Sequence, residues 1–162
     1  MGIYNIHIEG KGKHKQLFVD DEEVCPLNEF LILKYKLKDG TVSIENWAEM
    51  ISDCAMTIGF EKSVDYIAKG QKTAHQVRSY LDDSVYKPVL DDIIQKLMDY
   101  GYLDDEAYAK AFVEQNGAKF GKNKLKMQLS SKGIAADIIS KALESVDSAE
   151  AVLSYAHKFM RN

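Results

Sequence analysis

Gly101-Tyr102-Leu103-Asp104-Asp105, followed by Tyr108-Ala109, is the stretch on which the reading of this chain turns. A glycine placed to stop one helix is followed closely by an aspartate placed to start the next. The Asp104 carboxylate suits the free amides of a helix start, and Asp105 and Glu106 complement the positive end of its dipole. The stretch is therefore a joint between helices, and the segments on its two sides resemble one another. Upstream, Pro88 suits the first turn of a helix that turns Ile93, Ile94 and Leu97 inward and ends at Gly101. Downstream, Tyr108, Ala111 and Phe112 form an apolar stripe, and a break runs through Gly117 and Gly121. Leu125 and Leu129 then face inward from a second helix, which Gly133 stops. The tract Asp137-Ile138-Ile139-Ser140-Lys141-Ala142-Leu143 mirrors Asp92-Ile93-Ile94-Gln95-Lys96-Leu97-Met98.

Working outward, Trp47, Ile51, Cys54 and Ile58, then Phe60, Val64 and Ile67, keep helical spacing as far as Gly70. Thr73 with Gln76 three residues on is a capping box, worth about 1 kcal/mol at the cap. Val77 and Leu81 behind it are the counterparts of Leu125 and Leu129. Val152, Tyr155 and Ala156 echo Tyr108, Ala111 and Phe112. The expected fold is mainly α: tandem three-helix, helix-turn-helix-like repeats in an elongated, curved arrangement, because one copy cannot cover its own apolar face. The expected bounds are 44–101 for the first repeat, 102–146 for the second, and 147–162 for the first helix of an incomplete third.

Residues 1–43 have another texture, a small β-rich N-terminal unit with one short helix. Ile3, Tyr4, Ile6 and Ile8 make a strand, Gly10-Lys11-Gly12-Lys13 a turn, and Gln16 to Val19 a returning strand. An acidic turn at Asp20-Asp21 leads to a third strand ending near Cys25-Pro26, and Leu27 to Tyr35 fits a helix. Asp39-Gly40 turns the chain into a last extended piece at Thr41-Val42. So small a sheet needs the helices to bury its apolar face.

The chain has 162 residues, is 46% hydrophobic and 28% charged, and holds only two prolines, a composition that folds. Runs such as Phe30-Leu31-Ile32-Leu33 fall far short of the roughly 18 residues that span a bilayer. The start of the chain has no basic, long-apolar, small-residue sequence of a secretory signal, so a cytoplasmic protein is expected. Cys25 and Cys54 lack CxxC spacing, which excludes a disulfide scaffold and the common zinc modules. A net charge of −4 excludes a protein whose whole surface coats nucleic acid, while leaving room for a local basic patch.

The chain offers one candidate for such a patch. Lys119, Lys122, Lys124, Lys126 and Lys132 cluster around the second repeat's middle helix, and Lys69, Lys72 and Arg78 lie near the first repeat's. These are the candidate binding residues, set against the plainer reading of a solvated lysine face. Just upstream the balance reverses: Asp82, Asp83, Asp91, Asp92, Asp99, Asp104, Asp105 and Glu106 outnumber Lys87 and Lys96. That segregation predicts a polar recognition surface, although several of these acids simply sit at helix starts. Tyr100, Tyr102, Tyr108 and Phe112 have the ring faces for base stacking, but their helical spacing favours core packing. Burying each ring would stabilise by roughly 1.5–3 kcal/mol.

Catalytic patterns are poor. His7, His14, His75 and His157 are dispersed, with no metal-binding histidine pair. Gly10-Lys11-Gly12-Lys13-His14 lacks both the spacing and the following helix of a phosphate loop. There is no GxSxG elbow and no cysteine in a basic context. Neither an enzyme nor a cofactor or metal is expected.

The joint that opened this reading, with Gly121, Lys124, Leu125, Leu129 and Lys132-Gly133-Ile134, resembles the central signature of the RecX regulatory proteins. Thr73-Ala74-His75-Gln76-Val77-Arg78 through Leu81 is similar to the middle helix of that family's first repeat. The pattern departs at Gly70, where a basic residue would precede the capping threonine. The resemblance implies a monomeric regulator of DNA repair, homologous recombination and the SOS response. Its implied partner is the RecA filament, with single-stranded DNA inside it, and its implied effect is to restrain recombinase, ATPase and coprotease activities. A direct DNA-binding helix-turn-helix-like module is the alternative from another class, and a repeat scaffold for a different partner is a third.

Overall fold

The computed structural model describes residues 1–81, 86–144 and 146. The expected third-repeat helix at 147–162 and the acids Asp82 and Asp83 lie outside the described residues.

The chain opens on four antiparallel strands: β1 (Gly2–Glu9), β2 (Lys15–Val19), β3 (Glu22–Leu27) and β4 (Gly40–Ile44), in the order β3-β2-β1-β4. In β1, Ile6 is buried and Tyr4 and Ile8 half-buried, alternating with exposed Ile3, Asn5, His7 and Glu9, so one face turns to the core. Ile6 pairs with Val19 on one side and with Gly40 on the other. Asp20 and Asp21 take φ of 50° and 66°, the left-handed pair that a two-residue hairpin turn demands. Between β3 and β4 lies α1 (Glu29–Lys34), whose first turn is closed by Asn28 Oδ1 accepting the Leu31 amide at 2.9 Å. The helix is shorter than the expected 27–35. Leu27 still pairs with Lys15 in the sheet, and Asn28 is spent as the cap. β4 in turn runs on to Ile44, past the expected Thr41-Val42.

Asn46 caps α2 (Trp47–Ala68), 22 residues and so about 33 Å long. It lies on the sheet and carries Met50, Cys54, Ala55 and Ile58 into one core with Ile6, Leu17, Cys25, Leu27 and Leu31. Polar ties fix the sheet's loops to the same helix. His14 and Asn28 both reach Glu61 at 2.8 Å, Lys13 reaches Asp65 at 3.0 Å, and Lys34 and Tyr35 reach Asp53 at 2.6 and 2.8 Å. Gly59 lets the next helices approach, because a Cβ there would lie 2.5 Å from Ile93 Cδ1.

Beyond Gly70 come α3 (Ala74–Tyr80), a 3-10 turn (Lys87–Val89) and α4 (Leu90–Asp99). Val77, Leu81, Ile93, Ile94, Leu97 and Leu103 complete the first core. Next are α5 (Asp105–Asn116), α6 (Lys122–Ser131) and a helix over 136–144, here α7. They close a second, separate core of Ala109, Val113, Leu125, Leu129, Ile134, Ile139, Ala142 and Leu143. Two expectations need correction. In α5 the core face runs through Ala109 and Val113, and Tyr108 and Phe112 flank it half-buried. Tyr100 and Tyr102 are not core residues: at 66% and 46% exposure they pack from outside on Phe60, ring centroids 5.8 and 6.1 Å away. Tyr100 is the C-cap of α4 and Gly101 takes φ 78°, so the chain leaves the helix before these rings can follow its buried face.

Candidate binding surface across the helical groups

The predicted basic residues fall into three sets. Lys69 is the C-cap of α2, and Lys72 lies three residues on, its Nζ 4.8 Å above the Tyr66 ring. Tyr66 in turn stacks on Tyr80 at 4.1 Å with ring planes 3° apart. Lys132 is the C-cap of α6, with its Nζ 5.9 Å from the Phe112 ring. Lys72, next to Thr73, and Lys132, whose carbonyl accepts from the Thr73 hydroxyl, belong to the region where the two helical groups meet. An ammonium held over a ring face is ordered by the cation–π attraction, which lowers the entropy lost when it meets an anion.

The second set sits at the other end of α6, which Lys122 opens; from there to the Lys132 cap is about 15 Å. Lys119, Lys122, Lys124 and Lys126 are exposed there, and Lys124 Nζ lies 4.0 Å over Phe120. Helical geometry splits this cluster. Successive residues turn by about 100°, so Lys122 and Lys126 share one flank of the Leu125–Leu129 core face while Lys124 takes the other. Arg78 stands apart, its Nη1 2.7 Å from Asp91 on α4, so its charge is already answered.

Side chains the sequence reading had used for other purposes join the two groups. Thr73 closes its capping box with Gln76, the Gln76 amide donating to Thr73 Oγ1 at 3.2 Å and the Thr73 amide to Gln76 Oε1 at 2.9 Å. The same hydroxyl donates to the Lys132 carbonyl at 2.7 Å. Asp105, in the first turn of α5, accepts the Ala74 amide at 3.0 Å, supplying a free N–H of α3 with a partner from another helix. Gly133 completes the seam, since a Cβ on it would lie 2.2 Å from His75 Cβ. Thr73 is fully buried and His75 exposed, so the seam reaches from the interior to the surface. Nothing in the spacing of Thr73, Asp105 and Gly133 announced that they meet. The one available signal was that each is a helix-end residue of a type that bonds or clears backbone.

Asp104 is the N-cap expected of it, accepting the Ala107 amide at 3.0 Å. It also borders an open groove of about 400 Å³ between α5 and α7, lined with Glu106, Lys110, Ile138 and Lys141. Charges of both signs share that groove, and Lys141 pairs with Glu106 at 3.8 Å. Among the described residues no helix is long and apolar enough to cross a membrane.

This arrangement has known counterparts. The family model for the RecX second three-helix domain matches residues 104–143, the segment that builds the second core. The regulatory protein RecX of Halalkalibacterium halodurans is 28% identical over 153 residues, covering 92% of this chain and 55% of its own length. The regulatory protein RecX of Clostridium botulinum (strain Eklund 17B) is 29% identical over 154 residues, covering 90% of this chain and 70% of its own. The chain thus spans only about half the length of the Halalkalibacterium relative. Among solved structures, a crystal structure of regulatory protein RecX superposes with a TM-score of 0.59 over 88% of this chain and 73% of that one, at 21% identity. RecX from Lactobacillus salivarius gives 0.53 over 67% of this chain and 77% of that one, at 22% identity. At such identities the two structures speak for the fold.

Proposed function

Because this chain belongs to the RecX family, we propose that it binds the filament of a RecA-type recombinase and restrains its recombinase, ATPase and coprotease activities. In this reading the chain is a cytoplasmic, monomeric, non-enzymatic regulator that needs no cofactor and acts in homologous recombination, DNA repair and the SOS response. Residues 44–101 and 102–146 are stacked three-helix units of a curved body that lies along the filament groove. The proposed contacts are Lys69, Lys72, Arg78, Lys119, Lys122, Lys124, Lys126 and Lys132, reaching the recombinase or the single-stranded DNA within its filament. The mechanism is steric: an occupied groove excludes a second DNA or a repressor substrate and hinders subunit turnover.

The observation that carries this reading is the pair of separate cores, the first shared by the sheet and the helices packed on it, the second built from the residues that match the RecX three-helix domain. Two separately packed units suit a contact spread over more than one filament subunit better than one globule does. The test is the rate of ATP hydrolysis by RecA on single-stranded DNA. A rate that falls as the protein is added supports the proposal, and an unchanged rate at saturating, folded protein contradicts it.

The second reading, direct DNA binding, is favoured by the lysines laid on aromatic rings. Titration onto naked single-stranded DNA at several salt concentrations separates the two. Tight binding whose logarithm falls with log salt by about 0.7 per neutralised phosphate, without recombinase, favours the DNA module. Weak binding to naked DNA with strong binding to filaments favours the regulator.

A further inference from the structure

The seam between the helical groups does more than hold them together. Lys72 is next to Thr73 in sequence, and the Thr73 hydroxyl is bonded to the backbone of Lys132, so these two basic residues, one from each group, are held on the two sides of one hydrogen bond. Each ammonium is steadied on a ring of its own group, Lys72 on Tyr66 and Lys132 on Phe112. We infer that the basic surface is a composite site, complete only when both groups are in register, and that Thr73, Asp105 and Gly133 are its positioning residues. This rests on the function proposed above and goes beyond it. It says which part of the surface is used and what sets its geometry.

Three features argue for register control rather than mere adhesion. The two bonds run between helix ends: Thr73 caps α3 while holding the C-cap of α6, and Asp105 in the first turn of α5 serves the first amide of α3. A bond made at a helix end fixes the position of the whole helix, because the helix itself is rigid. The seam also joins the edges of the two cores: Thr73 is fully buried, its neighbour Ala74 packs on the first core, and Ile134 beside Gly133 belongs to the second. Finally, His75 fills the space above Gly133, so the groups close to contact only because position 133 has no side chain. Losing the register separates two half-sites, and the gain from engaging both at once is lost with it.

The test compares the full-length wild type with Thr73→Ser, Thr73→Val and Asp105→Ala in co-sedimentation with RecA filaments on single-stranded DNA, well below the melting temperatures. Far-UV circular dichroism and hydrogen exchange at the Ala74 amide are read on the same samples. Folded Thr73→Val and Asp105→Ala, with the Ala74 amide exchanging fast in the latter, are expected to bind about tenfold or more weakly. Thr73→Ser keeps the hydroxyl and is expected to bind as the wild type does. Should Thr73→Val fail to fold, Asp105→Ala carries the comparison alone. Folded variants with an opened seam and wild-type affinity overturn the composite site and leave the proposed function standing. A wild type that does not bind filaments overturns both.

Discussion

His75 occupies the space that a side chain at Gly133 would need: a Cβ on the glycine would lie 2.2 Å from His75 Cβ and 2.3 Å from Cγ. Those atoms are the root of the imidazole, not a flexible end, so α3 or the turn after α6 would have to move. The same glycine takes φ 78°, a conformation that costs a side-chain-bearing residue about 1–2 kcal/mol by itself. Gly133→Ala is therefore expected to destabilise by about 2–4 kcal/mol in urea unfolding.

Gly101→Ala provides the control. Gly101 has the same φ of 78°, but a Cβ there would meet nothing within 4 Å, so only the backbone cost of about 1–2 kcal/mol applies. If the two alanine variants lose equal stability, the contact with His75 contributes nothing. If His75→Gly combined with Gly133→Ala recovers the difference, the contact is its source.

Tyr100 and Tyr102 rest on Phe60 from outside, so their removal should cost little. Tyr100→Ala and Tyr102→Ala are each expected to change stability by less than about 1 kcal/mol. Leu97→Ala, from the fully buried face of the preceding helix, is expected to lose about 2–5 kcal/mol. Denaturation midpoints at constant slope check the contrast, and a core-sized loss at either tyrosine would contradict the exposure found here.

Asp53 gives the fold a dependence on pH. Burial pushes its carboxyl up, but hydrogen bonds from Lys34 and Tyr35 outweigh that and hold it below the usual carboxylate range. A carboxylate held low in the folded state contributes stability above its unfolded pKa of about 3.9 and loses it as pH falls through the folded value. Asp53→Asn is therefore expected to be less stable than the wild type at pH 7, and the gap should close in stronger acid. A gap that stays constant with pH would show that the charge is immaterial.

Cys25 and Cys54 face one another across the sheet and α2, both fully buried. Their shared hydrogen bond and burial push the Cys54 thiol far up, away from the reactive thiolate. Native protein should therefore be silent to a thiol reagent at pH 8, and both cysteines should react once urea unfolds the chain. Rapid reaction in the native state would contradict the buried pair.

How much of this was legible in the sequence follows from what each residue does locally. Thr73, Asp104 and the glycines at 70, 101 and 133 act on their own turn of backbone, so helix ends could be read from one stretch at a time. Ile3, Tyr4, Ile6 and Ile8 marked β1 in the same way, although Ile3 lies on the exposed face. Leu27 misled because an apolar residue before a helix can close a strand as readily as begin the helix, and the pairing with Lys15 decides. Tyr100 and Tyr102 misled because spacing says nothing once a glycine has turned the chain out of its helix. The seam was illegible for a different reason. Thr73 and Lys132 stand 59 residues apart, and a cap residue with a second partner looks the same in sequence as one without. The basic residues were found as types, but only the helix geometry separates Lys124 from Lys122 and Lys126 and reveals Arg78 as already paired.

The measurement that bears most directly on the account is sedimentation of the full-length protein with RecA filaments preassembled on single-stranded DNA, beside the same DNA without recombinase. The account predicts that the protein pellets with the filaments in saturable fashion and stays in the supernatant with DNA alone. A protein that remains in the supernatant with filaments, or pellets equally with bare DNA, would contradict it.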